Sequence, residues 1–264
     1  MSDPFDIPRL RRELQTSSFG RTVEYADRLT STNDWALDLA RQGAVEGTVI
    51  LADEQTAGRG RLGRAWDSAP GVGLWASLIL RPPASTAFLP ALTLCAACAV
   101  AAAIEDVAGV PAGLKWPNDV VIGGRKVAGL LAETKTLAGV EPPIILGIGI
   151  NVNHDVEGFP PPLRAVATSL RIETGRVIPR QRVLQRLLER FEPLYAQFLQ
   201  AGLTPFMPAL VERSVLITRR VAITDGSRTL TGTAVGLDEV GGLIIETSNQ
   251  GRVHVHSGTV SLRE

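Results

Sequence analysis

Lysine is scarce in this chain of 264 residues: Lys115, Lys126 and Lys135 are the only lysines among 27 basic residues. Lysine is a compact point charge and arginine a planar fork. Where arginine is the default, a retained lysine points to work an arginine would not do. Net charge is lacking as well, because 27 basic residues balance 27 acidic ones. That argues against a general binder of nucleic acid or membrane surfaces, which would carry a basic excess. Seven Phe and two Tyr leave few platforms on which single-stranded bases could stack. Cysteine is limited to Cys95 and Cys98, with no second pair to complete a zinc site. Their spacing fits a redox motif, but the setting Leu-Thr-Leu-Cys-Ala-Ala-Cys-Ala-Val is apolar and helical, where cysteine acts as a small hydrophobe. His254 and His256 lie two apart on one strand face, and zinc would need at least a third ligand; no metal site is expected. The N-terminus has no apolar stretch of the kind that opens a signal peptide, so the chain reads as cytoplasmic. Its longest apolar run, about residues 87–104, contains Thr93 and both cysteines and reads as a core helix rather than a membrane span.

What the chain does have is a loop rich in glycine and arginine. In residues 58–66, Gly58, Gly60 and Gly63 alternate with Arg59, Arg61 and Arg64 and run on to Trp66; no acid interrupts the three arginines. Glycine lets backbone come close to a ligand, and arginine presents donors that suit carboxylate or phosphate oxygens. The pattern predicts a mobile loop that closes over an anion. Its match to Gly-x-Gly-x-x-Gly does not indicate a dinucleotide fold, which needs a helix directly afterwards; here Pro70-Gly71 marks a turn instead.

A second motif fills residues 114–134. Lys115-Trp-Pro-Asn-Asp119 forms a bend, since Pro117 restricts Trp116. Val120-Val121-Ile122, Gly123-Gly124 and the stretch from Arg125 read as a hairpin with a two-residue turn. Gly129, inside the return strand, predicts close approach by another group. Around these motifs the sequence predicts a helix at 29–43, capped near Ser31 or Thr32 and ended by Gly43. Ser31, Thr32 and Asn33 either cap that helix or place two hydroxyls and an amide at a site for a neutral polar group. Strands are expected at 48–54, ending near Gln55, at 73–81 and at 143–153, where Gly147 and Gly149 leave room on one face, followed by Asn151 and Asn153. Helices are expected at about 7–14, 86–108 and 180–200. From about Ser214 the texture changes to short strands separated by turns, which predicts a small β-barrel.

Taken together, Gly58-Arg-Gly-Arg-Leu-Gly-Arg-Ala-Trp66, Lys115-Trp-Pro-Asn-Asp119, Ser31-Thr32-Asn33, Gln55, Gly124–Glu133 and Gly149-Ile-Asn151 resemble the biotin–protein ligase family in one consistent order. The resemblance runs from about residue 25 to the C-terminal strands. It implies an α+β fold: a catalytic domain like that of class II aminoacyl-tRNA synthetases, with a mixed sheet flanked by helices, and a small C-terminal SH3-like β-barrel. The expected division is 1–213 and 214–264, with 1–24 prone to fraying. The implied reaction forms biotinyl-5′-adenylate from biotin and ATP, with Mg²⁺ arriving on the ATP. It then transfers biotin to a lysine of a biotin carboxyl carrier domain.

On this resemblance Lys115 and Arg61 are the expected catalytic residues. Ser31, Thr32, Asn33, Gln55, Arg59, Gly60, Arg61, Lys115 and Gly129 are expected around biotin. Arg59, Arg61, Arg64, Trp66, Lys115, Asn118, Lys126 and Asn151 are expected around ATP or the adenylate. No permanently bound cofactor, nucleic acid or membrane partner is implied, and the protein would be a monomer or a ligand-dependent homodimer. About 24 residues precede the first matching segment, too few for the helix-turn-helix domain of the repressor members, so no operator binding is expected. Two alternatives stay open: a lipoate or octanoate ligase on the same fold, and a nucleic-acid-binding protein using the arginine loop and the β-barrel.

Overall fold

The structure is a computed structural model that describes residues 4–82, 89–135 and 142–263. Its centre is a sheet of seven strands in the order β1-β2-β3-β7-β6-β5-β4. β1 (Val23–Leu29) and β2 (Val49–Gln55) run parallel, joined by helix α2 (Thr32–Arg41). Every further pairing is antiparallel, through β3 (Gly73–Leu80), β7 (Ile144–Asn151), β6 (Arg125–Thr134), β5 (Asp119–Ile122) and β4 (Gly113–Lys115). The mixed sheet flanked by helices is therefore present as expected.

Strand parity sorts the side chains onto two faces. Leu74, Ala76, Leu78 and Leu80 of β3, with Leu146, Ile148 and Ile150 of β7, share the main core. Covering them are α3 (Leu89–Ala108) and α5 (Arg180–Ala201). Helix α3 is long and apolar enough to cross a membrane, but 78% of its most apolar window is buried, and it serves as the core helix. Cys95 and Cys98 are free thiols inside it. Burial pushes both thiols upward, Cys98 to about 11, so they stay protonated hydrophobes. The start expected for this helix near residue 86 lies outside the described residues.

The opposite face is covered over part of its length by α2, whose Ala36, Leu37 and Ala40 pack on Ile50, Ile79 and Ile145. Beyond the N-terminus of α2 that face is open, and the site lies there. Ser31 precedes the helix in extended backbone but makes no side-chain capping bond, which removes the purely capping role for that residue.

Helix α1 (Ile7–Glu13) is capped by Asp6 and buries Leu10, so this part of the N-terminal segment is docked. The hairpin turn at Gly123-Gly124 has φ of 56° and 80°, the two positive values a type I′ turn requires. Helices α4 (Leu170–Thr174) and α6 (Met207–Arg213) fill the remaining corners.

After α6 comes an antiparallel sheet of five strands, order β11-β10-β9-β8-β12, made of β8 (Arg220–Asp225), β9 (Arg228–Leu237), β10 (Leu243–Thr247), β11 (Gly251–Val255) and β12 (Thr259–Leu262). Its Val221, Leu243 and Ile245 belong to the same continuous core as α3 and α5. His254 Nδ1 lies 2.9 Å from Asp238 Oδ2, and His256 Nε2 3.8 Å from it.

Candidate functional site

Register brings the two motifs together. One row crosses the sheet with Lys115 opposite Asp119, Asp119 opposite Gly129, Gly129 opposite Gly149 and Gly149 opposite Trp75. A second row lies two residues closer to α2, about 7 Å away along the strands, with Ser77 opposite Gly147 and Gly147 opposite Leu131. A cavity of about 380 Å³ opens over both rows. It is bordered by Ser31, Thr32 and Asn33 from the start of α2 and by Gln55 from β2; Arg59, Gly60, Arg61, Arg64 and Trp66 come from the loop. Lys115 and Asn118 border it from the bend, with Lys126, Gly129 and Asn151 from β6 and β7. Every residue expected around biotin or the nucleotide thus borders one space.

Over the Ser77–Gly147 row the walls are neutral and closely hydrogen-bonded. Gln55 Oε1 accepts from the Thr32 amide at 2.8 Å and from its hydroxyl at 3.0 Å. The Gln55 side-chain amide donates to Ser68 Oγ at 2.9 Å. Asn33 Nδ2 donates to Glu133 at 2.7 Å, and Asn33 Oδ1 accepts from the Ser77 hydroxyl at 2.6 Å. Asn33 fits only because Gly147 has no side chain, since a Cβ there would stand 2.3 Å from Asn33 Oδ1.

Over the other row, two glycines in register make a flat floor for the indole of Trp66. A Cβ on Gly149 would meet that ring at 2.5 Å, and one on Gly129 at 2.8 Å. The close approach predicted at Gly129 is thus made by Trp66 and by the Lys126 side chain. Lys126 Nζ sits 4.9 Å over the indole, a cation–π contact. Behind Trp66 stand Trp75 at 6.4 Å, edge to face, and then His154 and Phe159, stacked at 4.6 Å. Burial pulls the His154 imidazole down to about 4, against a small opposing pull from Asp155, so it is a neutral ring in this stack at pH 7.

The basic side chains divide into two groups. Arg59 was expected to meet anions, yet its guanidinium is engaged by Asp34 at 2.5 Å and Glu133 at 3.1 Å. Those bonds raise its pKa, the Asp34 hydrogen bond most. Lys126 is likewise paired, with Asp119 at 2.5 Å. Arg61 and Lys115 have no carboxylate partner among the described residues; Arg61 donates only a long bond of 3.4 Å to Asn118 Oδ1. Burial lowers the Arg61 pKa, with Arg64 adding to that effect and Asp119 opposing it. A guanidinium still stays charged, so Arg61 is a half-buried cation short of an anion.

The loop closes on itself: Gly60 N–H donates to Arg64 O and Trp66 N–H to Gly58 O, while Leu62 takes a left-handed φ of 58°. Asn118 donates to Leu130 O and Asn151 to Thr168 O, so both fix the walls. Asn153 turns away and exchanges bonds with Ile178.

Sequence reasoning missed two parts of this wall. Phe159, Leu163 and Val166 come from the segment between β7 and α4, and Gly258, Thr259 and Val260 from the start of β12 and the turn before it. Arg64 donates to Thr259 Oγ1 at 2.9 Å, and Trp116 Nε1 to Gly241 O at 2.9 Å. Leu163 and Val166 are apolar residues left exposed, a feature only the fold reveals, and Thr259 carried no signal in the sequence.

Comparison with known proteins places the chain in a family. The profile of the biotin/lipoate A/B protein ligase family matches residues 25–151, and that of the biotin protein ligase C terminal domain matches 217–263. The chain is 40% identical over 253 residues to a bifunctional ligase/repressor of Bacillus subtilis, covering 96% of this chain and 78% of that one. It is 34% identical over 273 residues to a biotin–[acetyl-CoA-carboxylase] ligase of Mycobacterium tuberculosis, covering 98% and 97%. Among solved structures, a biotin protein ligase from Aquifex aeolicus in complex with biotin and ATP superposes with a TM-score of 0.80 at 34% identity, over 92% of this chain and 99% of that one. The chain belongs to the biotin–protein ligase family, and its fold is the mixed sheet and SH3-like C-terminal unit of that family.

Proposed function

We propose that this protein joins biotin to ATP, releasing pyrophosphate, and passes the biotinyl group from the adenylate to a lysine of a carrier domain. The observation that carries this reading is the pair of cations without carboxylate partners among the described residues, Arg61 and Lys115, beside a neutral polar wall. In the first step a carboxylate oxygen forms a bond to the α-phosphorus and the bond to pyrophosphate breaks. Two anions must meet, and fixed cations lower that repulsion. Lys115 stands at the junction of carboxylate and α-phosphate, and Arg61 neutralises the phosphates. Mg²⁺ enters with ATP as the counter-ion of its phosphates. In the second step the deprotonated amine of the acceptor attacks the acyl carbon, AMP departs and a proton is lost to solvent.

The neutral wall of Thr32, Asn33 and Gln55 suits a ring that needs hydrogen bonds rather than charge, and the Trp66 face suits a nucleobase. Ser31, Gly60 and Gly129 complete the surroundings of biotin. Arg64, Asn118, Lys126 and Asn151 support the nucleotide side. Arg59 serves as a tether of the loop base. The loop orders further over its ligands and shields the adenylate from water. We take 1–213 as the catalytic unit and 214–264 as the C-terminal unit. The enzyme works in the cytoplasm on a biotin carboxyl carrier domain, with no nucleic-acid or membrane partner, as a monomer or a ligand-dependent homodimer.

The test is exchange of labelled pyrophosphate into ATP with biotin, lipoate and octanoate in parallel. Exchange with biotin alone is expected. Exchange with lipoate alone would move the chain to the sister activity, and exchange with none would overturn the adenylation reading.

A further inference from the structure

The polar wall holds more oxygen than its protons can serve. Four oxygens run in a line: Asn33 Oδ1 to Ser77 Oγ at 2.6 Å, Ser77 Oγ to Thr32 Oγ1 at 2.7 Å, and Thr32 Oγ1 to Gln55 Oε1 at 3.0 Å. The orientation of each terminal amide is dictated by its other neighbour. Gln55 must turn its oxygen to the line because the Thr32 backbone N–H donates to that oxygen. Asn33 must turn its nitrogen away because Glu133 is a carboxylate and accepts only. Both amides therefore present oxygen to the line, and the two hydroxyls supply one proton each. Three oxygen–oxygen contacts share two protons, so one contact is always lone pair against lone pair. Ser77 is 1% exposed, and its hydroxyl has no water route by which to escape the conflict. Gln55 Oε1 is already served by the Thr32 N–H, so the least costly arrangement has Thr32 donating to Ser77 and Ser77 to Asn33. That leaves the Thr32 hydroxyl oxygen on the cavity wall as the acceptor without a donor.

We propose that Glu133, which is not among the residues bordering the cavity, is the specificity-determining positioning residue of this site. By holding Asn33 with its oxygen toward Ser77, it leaves the wall in need of a donated proton and so selects a ligand ring that carries N–H groups. The cyclic urea of biotin has two such groups, while the dithiolane of lipoate and the tail of octanoate have none. This inference rests on the function proposed above and names what discriminates within it. Sites built to hydrogen-bond a donor reject analogues that lack it far more strongly than apolar pockets reject a methylene.

The test compares the full-length protein with its Glu133→Gln and Asp34→Asn variants. The neutral amide that Glu133→Gln introduces can accept or donate, so Asn33 is free to turn its NH₂ group toward Ser77 and satisfy the line from within. Calorimetric titration uses biotin, biotin methylated on one ureido nitrogen, and lipoate. In the parent protein, methylation is expected to weaken binding by about 100-fold or more. In Glu133→Gln, biotin is expected to bind about 10-fold more weakly. The ratio of biotin to methylated biotin should narrow by a similar factor, with the KM for ATP unchanged. Asp34→Asn loosens Arg59 but touches neither amide, and should keep the ratio.

An unchanged ratio in Glu133→Gln would overturn the inference. So would an equal narrowing in Asp34→Asn, which would route the effect through Arg59. A parent protein that binds lipoate and ignores biotin would instead overturn the proposed function.

Discussion

The two rows of strand residues under the cavity solve opposite problems. Over Ser77 and Gly147, nearly every polar atom is already held by another, in a mesh that ties β2, β3, β6 and α2 together. Over the row that ends at Lys115, two of the cations have no carboxylate partner among the described residues, and the floor is bare glycine beneath an indole. The first arrangement fits a neutral ring whose partners must be aimed in advance. The second fits charges that arrive with the substrates, where a prior partner would have to be displaced. Arg59 and Lys126 are paired with carboxylates, whereas Arg61 and Lys115 have no such partner among the described residues, so positive charge alone does not distinguish the four.

The sharpest way to separate the two regions is Lys115→Ala. Biotin-dependent pyrophosphate exchange should fall by about 100- to 1,000-fold, the scale of losing one electrostatic stabiliser, while the Kd for biotin changes little. A collapse of biotin affinity with a normal exchange rate would place Lys115 on the ring side instead.

Acid should act on the aromatic stack. His154 has a pKa held at about 4 in the folded chain against an ordinary 6.5, so the unfolded chain takes the proton first as pH falls. The stability tied to this group is complete above pH 6.5 and is lost between 6.5 and about 4. The loss is of order 3 kcal/mol. Urea midpoints at pH 7.5 and 4.5 should differ less for His154→Leu than for the parent; equal differences would remove His154 from the acid response.

Gly149→Ala puts a methyl group 2.5 Å from the Trp66 indole. β7 is paired on both sides, so the ring must move. The KM for ATP should rise about 10-fold, in keeping with the cost of a displacement on the order of 1 Å, with biotin affinity nearly unchanged. An equal loss for both substrates would mean that the two regions are not independent. The smallest effect is expected from Thr259→Val, which removes the acceptor for Arg64. A surface bond of this kind contributes roughly 0.5–1.5 kcal/mol, so exchange should slow by a few-fold, and an unaltered rate would make the contact incidental.

Much of this was legible in the chain itself. Apolar runs located β2, β3 and β7, helical spacing located α2 and α5, and Gly123-Gly124 fixed the hairpin because that turn needs two positive φ values. The two motifs identified Arg59, Gly60, Arg61, Arg64, Trp66, Lys115, Asn118, Lys126 and Gly129 among the residues that border the cavity. Pairings across long stretches of sequence were not legible. Arg59 meets carboxylates 25 and 74 positions away, and local pattern carries no record of such a match. β4, with three residues, is too short to show a period, so Lys115 read as part of a bend although it ends a strand facing Asp119. β12 was hidden in a polar tail, and the contribution of Thr259 was hidden with it. Asn153 shared the parity of Asn151, but the strand stops at Asn151 and parity has no force beyond its end.

The indole N–H of Trp116 ends on a backbone carbonyl, that of Gly241, in the turn between β9 and β10. A carbonyl cannot be edited by point mutation; only the path of the chain can move it. The turn lies against the backbone of Pro90 and Ala91, about 3 Å from where a side chain on Gly241 would begin, so it has no slack to absorb an extra residue. Its length therefore works as a gauge block for the Lys115 bend. A scan of single-residue insertions would find 238–242 as intolerant as a buried strand, although Glu239 and Val240 within it are exposed.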